Sequence, residues 1–270
     1  MIEIFVVIPT CNRVGLLARA IGSVDAAVQT IVVVDDASDE ACFNAIVATG
    51  QDGTRIAFIR NERRHGAAYS RNIGAAQCES EWLLFLDDDD QLCEGYFDSM
   101  TQLLSSHPQV QAWIPDVQGA RRRHLSPVEL SDAQARNRVG GCSGFLIKKT
   151  LFEEIGGFDE RFPSMQDWDM WLRLIRSNSL YYSGVAGVIY DFCSEQKITH
   201  NLSAKYRGLR CLYFKHFNLW ESTARRQHLI RLWALRQLLD SPAPRWFSCF
   251  RRVLVWPTAV GYYLKWKKFL

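Results

Sequence analysis

The stretch that most restricts this chain is Trp82-Leu83-Leu84-Phe85-Leu86-Asp87-Asp88-Asp89-Asp90. Five apolar residues without alternation describe a strand buried on both faces, as in a parallel sheet. Four carboxylates cannot follow it into a core, because an unpaired buried charge is too costly. The strand is therefore expected to end at Leu86 and to deliver the aspartates to a sheet edge. Crowded carboxylates repel one another, and a divalent cation that prefers hard oxygen ligands would relieve them. A solvated acidic turn is the plainer alternative. The buried strand just before the run favours the cation.

The preceding residues repeat one pattern. Ile4–Ile8 reads as an apolar strand stopped by Pro9, and Asn12 or Thr10 is placed to cap a helix with Val14, Leu17, Ile21 and Val24 on one face. Ile31–Val34 is a second buried strand ending in Asp35-Asp36, 41–48 a helix, 56–59 a third strand and 67–77 a helix. This β-α-β-α-β-α-β order argues for an α/β fold, a mostly parallel central sheet with flanking helices. Ligands of such sheets bind at the carboxyl ends of the strands. Three strands here end in polar groups: Pro9-Thr10-Cys11-Asn12-Arg13, Asp35-Asp36 and Asp87 to Asp90. Together they point to one shared site.

The middle is less regular. Residues 96–105 read as a helix and 110–114 as a strand, 121–137 as a polar loop, and 143–148 as a strand. Thr150 and Glu153 have capping-box spacing, and Gly156-Gly157 should end that short helix. From Gln166-Asp167-Trp168-Asp169-Met170-Trp171-Leu172-Arg173 onward, the residues Trp168, Trp171, Leu172 and Ile175 share a helical face. Asp167 and Asp169 fall in the first turn, where a carboxylate complements the helix dipole. A last strand is expected over 181–190.

A hydrophobic fraction of 48% over 270 residues is ample for a core. None of the eight cysteines forms a C-x-x-C pair, which argues against a zinc site or disulfide framework and fits reduced thiols in the cytoplasm. The net charge of +3 hides a split: residues 201–270 carry 14 basic and 2 acidic side chains, against 18 and 27 in the rest. This C-terminal stretch becomes helical, aromatic and basic. Its apolar run, Val253–Leu264, is shorter than the roughly 20 residues that span a bilayer. It suits an interfacial helix on anionic lipid, peripheral to the inner face of the cytoplasmic membrane; a homodimer contact or packing on its own domain are the alternatives. No nucleic-acid-binding module is visible, and nucleic acid is not an expected partner.

Four motifs in order give the chain a family resemblance over about residues 4–200. They are Val6-Val-Ile-Pro-Thr-Cys-Asn-Arg13; Val32-Val-Val-Asp-Asp-Ala-Ser38; Asn61 through Asp90 with Gly66, Arg71, Asn72 and Gly74; and Gly156-Gly-Phe-Asp-Glu160 followed by Gln166-Asp167. The chain resembles a family 2 glycosyltransferase, which implies the GT-A fold, inversion at the transferred sugar and a nucleotide-sugar donor. The resemblance divides it into a nucleotide-sugar-binding half (1–95), an acceptor-binding half (96–200) and the basic tail (201–270). Pro9, Thr10, Cys11, Asn12 and Arg13 would border the nucleotide. Asp36 would meet the base with Asp35 beside it, and Gly66, Arg71, Asp87 and Asp88 would complete the donor site. In the D-x-D pair, Asp89 would be the main ligand of Mn²⁺ or Mg²⁺ and Asp87 would face the ribose or metal; Asp90 is a helper. His200 would stand near the diphosphate or metal, and Asp167 would be the catalytic base.

Two positions depart from the family: Gln166 stands where Glu is frequent, and Glu94 where proline is frequent. The implied reaction builds a surface polysaccharide or lipopolysaccharide on a glycan or lipid-linked acceptor. A catalytically inactive, metal-dependent nucleotide-sugar-binding module and a haloacid-dehalogenase-like phosphotransferase are the competing readings. The second would place its aspartates after the first strand of its core, not the fourth.

Overall fold

The computed structural model describes residues 2–26, 28, 30–48, 56–120, 123–191 and 201–239. Within them lie strands β1 (Ile4–Thr10), β2 (Thr30–Asp35), β3 (Ile56–Arg60), β4 (Trp82–Phe85), β5 (Gln91–Leu92), β6 (Ala112–Val117), β7 (Ser126–Pro127), β8 (Phe145–Lys148) and β9 (Leu180–Ile189). The helices are α1 (Val14–Gly22), α2 (Glu40–Ala48), α3 (Ala67–Ala76), α4 (Tyr96–Ser106), α5 (Leu130–Ala133), α6 (Lys149–Glu154), α7 (Gln166–Arg176), α8 (Leu202–Lys215) and α9 (Ser222–Leu239).

All nine strands join one sheet, in the order β3-β2-β1-β4-β8-β6-β9-β5 with β7 beside β9. The first four strands pair in parallel, as the βαβ reading requires. From β8 onward the sheet is mixed: β8 runs antiparallel to both β4 and β6, while β6 and β9 are parallel. The β4–β8 ladder makes the two halves of the chain one continuous sheet.

Alternation across the pleat explains the apolar runs. Phe5 and Val7 of β1 enter the core beneath α3, α6, α7, α8 and α9, whereas Ile4, Val6 and Ile8 enter the opposite core with α1, α2 and α4. A strand buried on both faces has no solvent side to mark with polar residues.

Several local expectations differ from what is seen. Pro9 does not stop β1 but pairs with Val34. The N–H that proline lacks faces β4, where it would make the next rung to the Leu86 carbonyl; its absence ends the β1–β4 ladder while the pairing with β2 continues. Neither Asn12 nor Thr10 caps α1, whose N-cap is Arg13. Instead Asn12, at φ 56°, accepts from the Asp39 amide at 2.9 Å. Thr150 is not a cap either, since α6 begins at Lys149 with no side-chain cap. The 121–137 stretch, expected as a loop, contains β7 and α5. Gly156 and Gly157 do end α6, at φ 76° and 64°, with the Gly157 amide donating to the Phe152 carbonyl. The tail segment over 246–268 and His200 lie outside the described residues.

Candidate active site

The carboxyl ends of β1, β2 and β4 lie side by side, and polar side chains from each meet there. β4 ends at Phe85, one residue earlier than expected, though the Leu86 amide still reaches the Val7 carbonyl. The chain then turns, with the Asp90 amide on the Asp87 carbonyl at 3.1 Å, before β5 pairs with β9. Both ends of the aspartate run are thus anchored in the sheet.

The turn divides the four aspartates. Asp87, Asp89 and Asp90 each present a carboxylate oxygen, and these lie within 4.8 Å of one another. Asp88 faces away: it accepts from the Thr10 hydroxyl at 2.7 Å and from Arg13 at 3.0 Å, which ties the β1 loop to the turn. Burial pushes Asp88 up to about 6 against the pull of Arg13 and Thr10. Burial, with Asp87 as the largest charged contributor, pushes Asp90 up to about 7. Asp90 therefore belongs with Asp87 and Asp89 as a full member of the cluster.

Ser143, just before β8, organises the turn. Its hydroxyl donates to Asp90 at 2.5 Å and accepts the Asp87 amide at 3.1 Å. Three hard oxygen donors on a braced turn fit Mg²⁺ or Mn²⁺.

Arg71, buried on α3, connects this cluster to the start of α7. One guanidinium nitrogen forms an ion pair with Asp87, while Nε and Nη1 are buried with no hydrogen-bond partner. Burial opposes its charge, but Asp87 holds its pKa above the ordinary arginine value. Asp167 is half-buried in the first turn of α7. It accepts from Asn137 Nδ2 at 2.9 Å and from the Trp168 amide at 2.8 Å. Desolvation pushes Asp167 up to about 6; Arg71 lowers it and Asp87 raises it, so the three groups share one electrostatic neighbourhood.

Asp35 and Asp36 sit on the same edge, engaged by the protein. Asp35 accepts from the Ser38 hydroxyl and amide, with Arg60 at 3.6 Å. Asp36 accepts from Asn61 Nδ2 at 2.9 Å and from the His65 and Gly66 amides at 2.8 Å, which fastens the loop before α3 to the end of β2. Cys11 lies beside these two carboxylates, and its thiol is raised by burial. Asp169 is not a mere dipole complement. Fully buried, it accepts from Arg173, His216 and Lys215 and ties α7 to α8. Ser143 and Asn137 escaped the sequence reading: each is a single polar residue without a repeating pattern.

Comparison with known proteins accords with this geometry. The profile described as Glycosyl transferase family 2 matches residues 5–155, and that described as Glycosyltransferase like family 2 matches residues 132–221. The chain belongs to glycosyl transferase family 2. A Haemophilus influenzae family relative described as an uncharacterized glycosyltransferase is 29% identical over 187 residues, 64% of this chain and 62% of that protein. The GalNAc(5)-diNAcBac-PP-undecaprenol beta-1,3-glucosyltransferase of Campylobacter jejuni is 33% identical over 106 residues, 38% of this chain and 34% of that protein. The chain thus spans less than two thirds of either relative.

Among solved structures, S. aureus TarS in complex with UDP-GlcNAc superposes with a TM-score of 0.65 at 16% identity, covering 88% of this chain and 73% of that one. GalNAc-T7 with UDP, GalNAc and Mn²⁺ superposes with a TM-score of 0.61 at 16% identity, covering 78% and 48%. At that identity the likeness concerns the fold, which is GT-A.

Proposed function

We propose that this glycosyltransferase moves a sugar from a UDP-sugar to a hydroxyl of a glycan or lipid-linked glycan, with inversion and with a divalent metal. The observation that carries this reading is that Asp87, Asp89 and Asp90 share an electrostatic neighbourhood with Asp167 through Arg71. The nucleotide and Mn²⁺ in the two solved structures, and the undecaprenol-linked acceptor in the C. jejuni relative's name, support the choice of donor, metal and acceptor.

Asp89, Asp87 and Asp90 would hold the metal, and His200 remains a candidate fourth ligand. Bound there, Mn²⁺ or Mg²⁺ would neutralise charge on the departing diphosphate. Arg71, paired with Asp87, would place positive charge beside an anionic ligand. The loop Pro9, Thr10, Cys11, Asn12 and Arg13, held by Asp88, would border the nucleotide, with Asp35, Asp36 and Gly66 shaping the base end. Asp167 would take the acceptor hydroxyl's proton as that oxygen attacks the sugar from the face opposite the diphosphate. One base suffices, because no second displacement follows. The pathway is the assembly of a surface polysaccharide or lipopolysaccharide at the cytoplasmic face of a membrane.

Asp167→Asn tests the reading. A general base contributes about 10²–10⁴-fold, so transfer should fall by that factor while calorimetric binding of UDP with Mn²⁺ persists. Wild-type turnover in this variant would overturn the assignment. Absence of product from the native enzyme across a panel of UDP-sugars and acceptors, with UDP binding intact, would favour a binding module.

A further inference from the structure

Helix α9 has two apolar faces, and the fold uses one. Its inner face carries Ala224 and His228, both buried, with Leu232 and Leu235 packed on the core. The opposite face carries Leu229, Ile230 and Trp233, which are 51%, 43% and 53% exposed. These three residues, spaced i, i+1 and i+4, form one contiguous outward patch. An ordinary surface helix would be polar there. Exposed Arg226 and Arg236 flank the patch, and no acidic side chain occurs from 222 to 239, where four arginines do.

We infer that this face of α9 is a docking surface for an anionic lipid bilayer. An aromatic and two aliphatic side chains suit the boundary between headgroups and acyl chains, and flanking arginines suit anionic headgroups. Charge complementarity distinguishes this occupant from a second copy. A two-fold contact would set one α9 against another, arginines facing arginines with no carboxylate on either helix. The sequence after 239 extends the same character, with six basic residues and one acidic in 240–270. Among the described residues no helix is long and apolar enough to cross a membrane, so contact through α9 would be peripheral.

The inner face gives the docking a consequence. His228 Nε2 lies 2.7 Å from the Gln134 carbonyl, Arg231 donates to the Ala135 carbonyl, and Trp168 Nε1 donates to the Ala133 carbonyl at 2.6 Å. Two residues further on, Asn137 holds Asp167. The helix on the lipid is thereby bolted to the segment that positions the base. Resting on the lipid-linked acceptor proposed above, this arrangement couples the docked helix to the segment that holds Asp167.

Co-sedimentation of the full chain with vesicles tests the surface without relying on transfer. The wild type should bind equimolar phosphatidylcholine–phosphatidylglycerol vesicles, bind phosphatidylcholine alone far more weakly, and release as salt rises. The triple variant L229S/I230S/W233S should bind the mixed vesicles about tenfold more weakly, with unchanged circular dichroism and UDP–Mn²⁺ binding. Arg226→Glu, a single exposed change, should weaken binding in the same direction. Wild-type vesicle binding by the folded triple variant would overturn the proposal. So would equal binding of the wild type to neutral and anionic vesicles, or a loss of dimer by the triple variant with vesicle binding intact. Failure of sugar transfer alone would sink the functional reading and leave this one standing.

Discussion

Asp167, proposed above as the base, shows how a carboxylate suited to a reaction can cost the fold stability. Its burial raises it to about 6, so it is ionised at neutral pH yet still basic enough to accept a proton. The acidic limb of kcat/KM should therefore fall as pH drops through about 6. Asn137 donates to the charged form, and its removal disfavours that form. Asn137→Ala should accordingly move the limb to higher pH, which a pH–rate profile measures. An unmoved limb would deny Asn137 a positioning role. Stability has the opposite sign. A carboxyl raised in the folded state binds more protons than in the unfolded chain between its two pKa values, so stability declines as pH rises through that window. Asp167→Asn removes the penalty and should melt above the wild type at pH 7. The acidic partners were legible as residues because carboxylates after a buried strand or at a helix start are conspicuous. Their orientations were not legible. Asp88 turned to Thr10 and Asp90 toward Asp87 and Asp89 because the β4–β5 turn decides which oxygens converge.

At the scale of elements, period and burial carried the sequence reading of β1 to β4 and α1 to α4, and end chemistry did not. Thr10, Asn12 and Thr150 have capping residue types, but the Thr10 hydroxyl donates to Asp88, Asn12 accepts from the Asp39 amide, and Thr150 lies inside α6, which begins at Lys149. Parallel order was legible in the first half because strand and helix signals alternate there. The antiparallel β8 was not, since a four-residue apolar strand carries no sign of its direction. Helix α3 offers the sharpest test of packing. A Cβ on Gly74 would sit 2.5 Å from Val7 Cγ1 and 3.1 Å from Val34 Cγ2, on strands buried on both faces. Although alanine favours helix, overpacking of this kind costs about 1–3 kcal/mol. Gly74→Ala should lower the denaturation midpoint accordingly. A more stable variant would mean that helix and sheet separate easily, contrary to the close approach seen here.

For the whole molecule, the split between the acidic first 200 residues and the basic remainder matches the proposed division between a cation-holding rim and a lipid-facing helix. The rim gathers three carboxylates, Asp87, Asp89 and Asp90, against Arg71 on Asp87 and Arg13 at 3.5 Å from Asp89, so a cation there would still relieve their repulsion. A ligand that binds only the folded state stabilises it by mass action, by about 2.7 kcal/mol at one hundred times its dissociation constant. For a chain of this size that corresponds to a rise of roughly 5–10 °C in Tm. Mn²⁺ with UDP should produce a shift of this order in a thermal melt, and EDTA should abolish it. Two substitutions within the same four-residue turn make the test specific. Asp89→Ala should eliminate the Mn²⁺-dependent part while changing the ligand-free Tm little. Asp88→Ala should lower the ligand-free Tm, since it removes the acceptor of the Thr10 hydroxyl and the shorter of Arg13's contacts with the aspartate run, yet retain a Mn²⁺ response. If Asp88→Ala instead erased the response and Asp89→Ala preserved it, the division of the aspartate run into a metal-facing group and a loop anchor would be reversed.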